Sequence, residues 1–211
     1  MRTLIVAAKV VSTIFRPIYY PLLCCVILFT LTPLSRLPLD FMLSQIGVMA
    51  MFTIVFPLLL TFAYRYMRHL SSHDMRLRNN RIVPYLIFIF CYVVYLHMMH
   101  EAHMPYLLLS VLIVALCIQV ICTAISLFWK VSVHSAGAGA IIGALSAYGA
   151  MFHFNPLAWI CLAFIVAGLV GTSRMILRQH SLSQILIGTG IGVFSGFFGI
   201  LRGDLLFILG G

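Results

Sequence analysis

Long apolar runs, separated by short polar segments, fill almost the whole chain. Of its 211 residues 63% are hydrophobic and only 8% are charged, about one third of the charged share of an ordinary soluble domain. A helix that crosses the hydrocarbon layer needs about 20 mostly apolar residues, which leaves room for six or seven spans. The runs do not alternate as barrel strands do. We therefore predict an all-α fold, a polytopic transmembrane helical bundle that forms a single integral membrane domain over residues 1–211.

Turn residues and helix breakers divide the apolar runs into predicted spans. The third span is predicted to begin at Pro84 and the sixth to follow Asn155 and Pro156. Small residues recur at four-residue spacing, which predicts helices whose backbones approach closely; they are Gly139–Gly143 and Gly188–Gly192–Gly196. The spans are predicted at about 17–34, 42–64, 84–97, 106–129, up to 154, 157–172 and 184–201.

Positive charge dominates the polar segments, with 13 Lys+Arg against 4 Asp+Glu and a formal charge of +9. Such a balance suits nucleic acid, anionic lipid or an anionic substrate. The basic residues sit in short loops between spans and form no single exposed stripe, so we expect membrane lipids and no nucleic acid as partners. The N-terminal segment with Arg2, Lys9 and Arg16 is predicted to lie in the interface as a short helix. The six cysteines fall in apolar runs without zinc-type spacing and are interpreted as core residues.

Three polar groups interrupt the apolar runs: the arginine-rich loop 65–81, the segment Lys130–His134, and the stretch SRMILRQHSLSQ at 173–184. Two predicted spans separate each group from the next, so all three lie on one face of the membrane. Ionisable side chains at a membrane boundary are costly unless they are wetted or paired, which makes their clustering a functional hypothesis. Eleven of the thirteen Lys and Arg residues fall on this face. The positive-inside rule then orients it to the cytoplasm, and we expect a protein of the bacterial inner membrane.

Two histidines and several cations without acidic metal ligands favour phosphoryl transfer. Arginine and lysine stabilise the charge on a transferring phosphoryl group, while one histidine attacks phosphorus and another protonates the leaving alkoxide. Asp74 is the only acid on this face, so we expect a metal-independent reaction without a cofactor. On the other face His97, His100 and Glu101 would share one side of a helix, but their spacing matches no zinc signature.

The polar groups resemble the three motifs of the type 2 phosphatidic acid phosphatase family, KxxxxxxRP, PSGH and SRxxxxxHxxxD. Ser173, Arg174 and His180 stand at the spacing of the third motif. The segment VSVH at 131–134 keeps the serine and histidine of the second, and SAGAGA continues it. The first motif is degraded: with Pro84 on the family's proline, Arg76 takes the lysine position and Val83 the arginine position. The resemblance covers residues 76–184.

The resemblance implies a lipid-phosphate phosphatase or phosphotransferase, with a lipid phosphate as substrate. His180 would be the nucleophile that forms a phosphohistidine, and His134 the acid for the leaving group. The side chains expected to hold the phosphate are Arg174, Ser132, Ser173 and Arg76, to which charge and placement add Lys130 and Arg81.

The main departure from the family pattern is Gln184, which stands where the family has an aspartate that supports the nucleophilic histidine. Loss of the analogous carboxylate in a serine protease costs about 10⁴ in rate. A glutamine still accepts a hydrogen bond from the ring but brings no charge. Two alternatives therefore stand beside the enzyme: a non-enzymatic membrane protein of the same fold that binds anionic lipid, and a transporter. Many transporters consist of two repeated halves with broken helices, and the sequence shows no such repeat.

Overall fold

The structure, a computed structural model, describes residues 2–69, 78–152 and 155–209, with side chains described outside 78–81 and 202–209. Every regular element within these ranges is helical, which confirms the predicted all-α fold. Seven helical segments of the described chain are long and apolar enough to cross a membrane, the higher of the two predicted numbers. Length and hydropathy thus carried enough information to fix the fold class.

The α-helices follow one another along the chain with short connections, and two of the candidate spans, Arg2–Leu31 and Leu39–Met67, each contain two of them. Short 3₁₀ helices lie at Pro17–Tyr19 and Pro33–Arg36, and a π-helical turn at Met51–Val55 joins two helices into one span. The α-helices of the described chain are α1 (Arg2–Ile14), α2 (Tyr20–Leu31), α3 (Leu39–Ala50), α4 (Phe56–Met67), α5 (Arg78–Glu101), α6 (Tyr106–Ser126), α7 (Val133–Phe152), α8 (Leu157–Ile176) and α9 (Leu182–Leu209).

Helix α5 corrects one predicted boundary, because it begins at Arg78 and contains Pro84 in its interior. The sequence-based rule starts a helix at proline. Proline has a helical φ, however, and within the second turn it removes only one intrahelical hydrogen bond, to the carbonyl four residues earlier. Helix formation can therefore begin upstream of Pro84, so the predicted helix start at this residue is wrong, whereas the candidate membrane span of this helix, Ile82–Glu101, begins two residues before it.

Helix α7 lies at the centre of the bundle, and its closest partner is α9. The two backbones approach through the glycines that the sequence singled out. A Cβ atom at Gly139 would collide with the Thr189 carbonyl oxygen, and one at Gly192 with the Ala136 carbonyl oxygen. The predicted close approach is therefore confirmed, and it holds the starts of α7 and α9 in a fixed register at one end of the bundle.

The N-terminal helix α1, predicted to lie in the membrane interface, also packs against α8. A turn at Arg16 and Pro17 separates it from α2. Ala8 and Ser12 are buried, whereas Leu4 and Val6 are exposed. One face of α1 is thereby part of the bundle and reaches the end at which α7 and α9 begin.

Candidate active site

The segments that start α7 and α9 meet at one end of the bundle. The Ser132 backbone N–H donates to the Gln184 carbonyl oxygen at 3.3 Å and ties the two helix starts together. Ser132 is also the N-cap of α7, because its hydroxyl accepts from the Ser135 N–H at 3.3 Å and lies 2.9 Å from the Ser135 hydroxyl. Ser132 is fully buried, so its present contacts are those of a helix cap.

Gln184 forms a capping box at the start of α9. Its Oε1 accepts from the Ser181 N–H at 3.2 Å, while the Ser181 hydroxyl lies 3.5 Å from the Gln184 N–H. The same Oε1 lies 3.2 Å from Nδ1 of His180. The backbone N–H of Ser181 can only donate, so the Gln184 atom that it contacts is the amide oxygen. This oxygen can only accept, so Nδ1 of His180 must carry a proton and donate it. A neutral His180 ring therefore carries its lone pair on Nε2.

Arg174 is held at the end of α8 by the N-terminal helix. Its Nη1 donates to the Ser12 hydroxyl at 2.8 Å, a contact between residues 162 positions apart. Its Nε is buried without a hydrogen-bond partner among the described residues. The neighbouring Ser173 is buried and donates to the Val170 carbonyl at 2.7 Å, so this hydroxyl turns back into its own helix.

A cavity of about 1140 Å³ opens at this end of the bundle. No aspartate or glutamate is present among the described residues that line it. The cationic and imidazole side chains of the described residues in its lining are those of Lys9, Arg16, Lys130, Arg174, Arg178, His134 and His180. The structure thus brings four of the predicted site residues to one cavity, as the even number of crossings led us to expect, whereas Ser132, Ser173 and Gln184 are not among the lining residues.

The same cavity continues into the apolar interior. Along α6 its lining extends from Ser126 to Val111, about 22 Å at the rise of an α-helix. The deep part is lined mainly by apolar and aromatic side chains; among them are Leu58, Phe88, Tyr92, Val111, Val114, Ala115 and Ile118. One continuous space therefore joins a cationic mouth to an apolar channel that spans more than half of a hydrocarbon layer about 30 Å thick.

The degraded first motif is only partly described. Arg76 lies outside the described residues, and Arg81 lies in the first turn of α5 with a side chain that is not described. Tyr85, one residue after Pro84, lines the cavity. The start of α5 therefore borders the site, as the motif placement predicts.

Sequence reasoning missed the contribution of α1. Lys9, Ser12 and Arg16 all line the cavity, and the His134 imidazole interacts with the backbone of Ser12. Part of the signal was present in the spacing, because Lys9 and Ser12 lie three residues apart on one face of α1, whereas Arg16 follows the helix with an extended backbone. Nothing local, however, shows that this face meets α8.

The segment between Arg174 and His180 is shaped by the end of α8. Arg178 has a left-handed backbone with φ of 51°. Its N–H bonds the Met175 carbonyl at 2.9 Å, and the Gln179 N–H bonds the Arg174 carbonyl at 3.0 Å. This is a Schellman ending, in which the left-handed position is usually glycine. Here an arginine occupies it and lines the cavity.

Comparison with known proteins agrees with this geometry. A search of curated proteins and a search of solved structures gave no match. The sequence model of the PAP2 superfamily matches residues 122–203, which include the second and third motifs. The resemblance of these motifs is thereby confirmed, and the match over residues 122–203 supports membership in the type 2 phosphatidic acid phosphatase family, the PAP2 superfamily.

Proposed function

We propose that this protein is a membrane-embedded, metal-independent lipid-phosphate phosphatase that works through a phosphohistidine on His180. Family membership supports a phosphatase-type activity. The observation that carries the finer proposal is the fixed His180 ring, whose Nδ1 is held by Gln184 at the cationic mouth of a cavity with an apolar depth. A lipid phosphate fits both parts of this space.

In the first step Nε2 of His180 attacks phosphorus, and the bond from phosphorus to the lipid oxygen breaks. His134 gives its proton to that oxygen, so the lipid leaves as an alcohol. A water molecule then attacks phosphorus, its proton passes to His134, and the P–N bond breaks to release inorganic phosphate. Arg174, Lys130 and Arg178 line the space around His180 and would stabilise the charge on the equatorial oxygens.

The apolar depth supports a substrate with a hydrocarbon tail. A tail that occupies the channel beside α6 replaces contacts with lipid by contacts with side chains such as Phe88 and Val114. The headgroup then reaches the cations without leaving the boundary region. We propose a substrate class, lipid phosphates, with membrane lipids as the surroundings from which the substrate enters.

The test is phosphate release by the purified protein in lipid nanodiscs, measured with phosphatidate and with a polyprenyl phosphate. His180→Ala should reduce release to background, because the nucleophile is lost. His100→Ala is the matched control: it removes an exposed histidine at the end of α5 and should leave the rate unchanged. Equal rates for wild type and His180→Ala would overturn the enzyme proposal.

The second candidate is a lipid-binding protein without turnover, and the neutral amide of Gln184 is the observation that favours it. A carboxylate would stabilise positive charge on the His180 ring, whereas an amide only fixes the tautomer. This candidate predicts saturable binding of both lipid phosphates to wild type together with no phosphate release. Release above the His180→Ala background would exclude it.

A further inference from the structure

The end of α1 carries a serine that contacts residues of two motifs. The Ser12 hydroxyl accepts a hydrogen bond of 2.8 Å from Nη1 of Arg174 at the end of α8. The backbone of the same serine interacts with the imidazole of His134 at the start of α7. Ser12 thus joins the arginine of the third motif to the histidine of the second. It does so from outside residues 122–203, which the family model matches.

The packing of α1 holds this serine in place. Ala8 and Ser12 lie four residues apart and are both buried, and α1 packs against α8. Small side chains at this spacing let two helix backbones approach closely. The Ser12 carbonyl lies in the last turn of α1, where carbonyl groups have no partner within the helix and can accept from an imidazole N–H. The packing of whole helices therefore sets where the Ser12 hydroxyl lies relative to Arg174.

The Arg174 guanidinium keeps most of its capacity to bind an anion. Arginine has five N–H donors in a planar fork. Nη1 uses one of them on Ser12, while Nε is buried without a hydrogen-bond partner among the described residues. A carboxylate at this position would also hold the fork, but it would neutralise the charge and compete with a phosphate. A hydroxyl fixes the fork and leaves its positive charge intact.

We propose that Ser12 is a positioning residue, which holds the guanidinium of Arg174 so that its remaining donors bind a phosphate in the cavity. The inference rests on the proposed function for the place of the phosphate beside Arg174. A long arginine side chain loses rotational freedom when it binds an anion, and a fork that is already held loses less. The contact from α1 therefore raises the affinity of the site for phosphate.

The test compares the affinities of farnesyl phosphate and farnesol for the full chain in nanodiscs of uncharged lipid. Their tails are identical, so the comparison isolates the phosphate. Ser12→Ala removes the hydroxyl at almost unchanged volume. It should weaken the binding of farnesyl phosphate about tenfold, the size of one hydrogen bond to a charged group, and leave the binding of farnesol unchanged. The matched control Thr3→Ala removes an exposed hydroxyl of α1 that does not line the cavity, and it should change neither affinity.

A double-mutant cycle tests whether Ser12 acts through Arg174. Arg174→Met keeps the length of the side chain without its donors, and in this background Ser12→Ala should cause no further loss of affinity for farnesyl phosphate. The comparison with farnesol decides the question by itself if Arg174→Met does not fold.

An equal loss for farnesol, a loss of equal size in both backgrounds, or no loss at all would overturn the positioning role of Ser12. Phosphate release measured in parallel tests the proposed function separately. Weaker binding of farnesyl phosphate to Ser12→Ala, together with no release by wild type, would support the positioning role and refute the phosphatase.

Discussion

Replacing Gly192 by alanine should separate α7 from α9 and thereby disturb the site. The added Cβ would lie well inside contact distance of the Ala136 carbonyl oxygen and would also approach the Ala140 backbone nitrogen. Backbone atoms cannot rotate away as a flexible side chain can, so the two helices must move apart. We expect a loss of about 1–3 kcal/mol in the free energy of unfolding, the usual cost of overpacking.

The matched control is Gly190→Ala, on the same helix, because a Cβ at Gly190 meets nothing within 4 Å. Alanine is the better helix former by up to about 1 kcal/mol, so this variant should be neutral or slightly stabilised. Thermal unfolding in detergent, followed by size-exclusion chromatography, would compare the two. Phosphate release should fall only in Gly192→Ala, because the Ser132–Gln184 link joins these helices. Equal melting temperatures would refute the reasoning.

Two further predictions concern side chains beside the nucleophile. Gln184→Glu keeps the side-chain length that the capping box needs and places a carboxylate against Nδ1 of His180. This variant should raise the rate of phosphate release about tenfold. Gln184→Leu removes the hydrogen bond to His180 and should lower the rate. A lower rate for Gln184→Glu than for wild type would contradict the assigned role. Arg178 has a left-handed backbone, a conformation that costs a residue with a side chain roughly 1–2 kcal/mol. Arg178→Gly removes this strain, so the melting temperature should stay level or rise. The same variant removes a cation from the cavity lining and should raise KM for a lipid phosphate several-fold. The control Arg178→Lys keeps the charge and should keep KM near the wild-type value. An unchanged KM in Arg178→Gly would exclude contact between Arg178 and the substrate.

The parts of the fold that depend on local pattern could be predicted from the sequence. Hydropathy indicated the helical spans, and the four-residue spacing of Gly188, Gly192 and Gly196 predicted a close approach of helix backbones, which the structure shows between α7 and α9. The even number of spans between Lys130 and His180 led to the expectation of a shared site, and both residues line one cavity. Each of these inferences uses only the spacing of residues along a helix, the length of an apolar run, or whether the number of spans between two segments is even or odd.

Features that depend on tertiary contact could not be predicted in this way. The approach of Ser12 to Arg174 joins opposite ends of the chain, and no local pattern encodes it. A motif gives the spacing of hydroxyl groups but not their direction, so Ser132 and Ser173 were expected to bind phosphate although one caps α7 and the other bonds its own helix. Their roles as phosphate ligands remain predictions.

The link between Ser132 and Gln184 has a consequence for how such a site can change over time. It joins two backbone groups, so apart from proline at position 132, which has no N–H, no substitution at either position removes the atoms that form it. The alignment of α7 with α9 is therefore separable from the chemistry of residue 184. A lineage could exchange carboxylate for amide, and so alter the rate at which a bound lipid is processed, without losing the architecture that binds it.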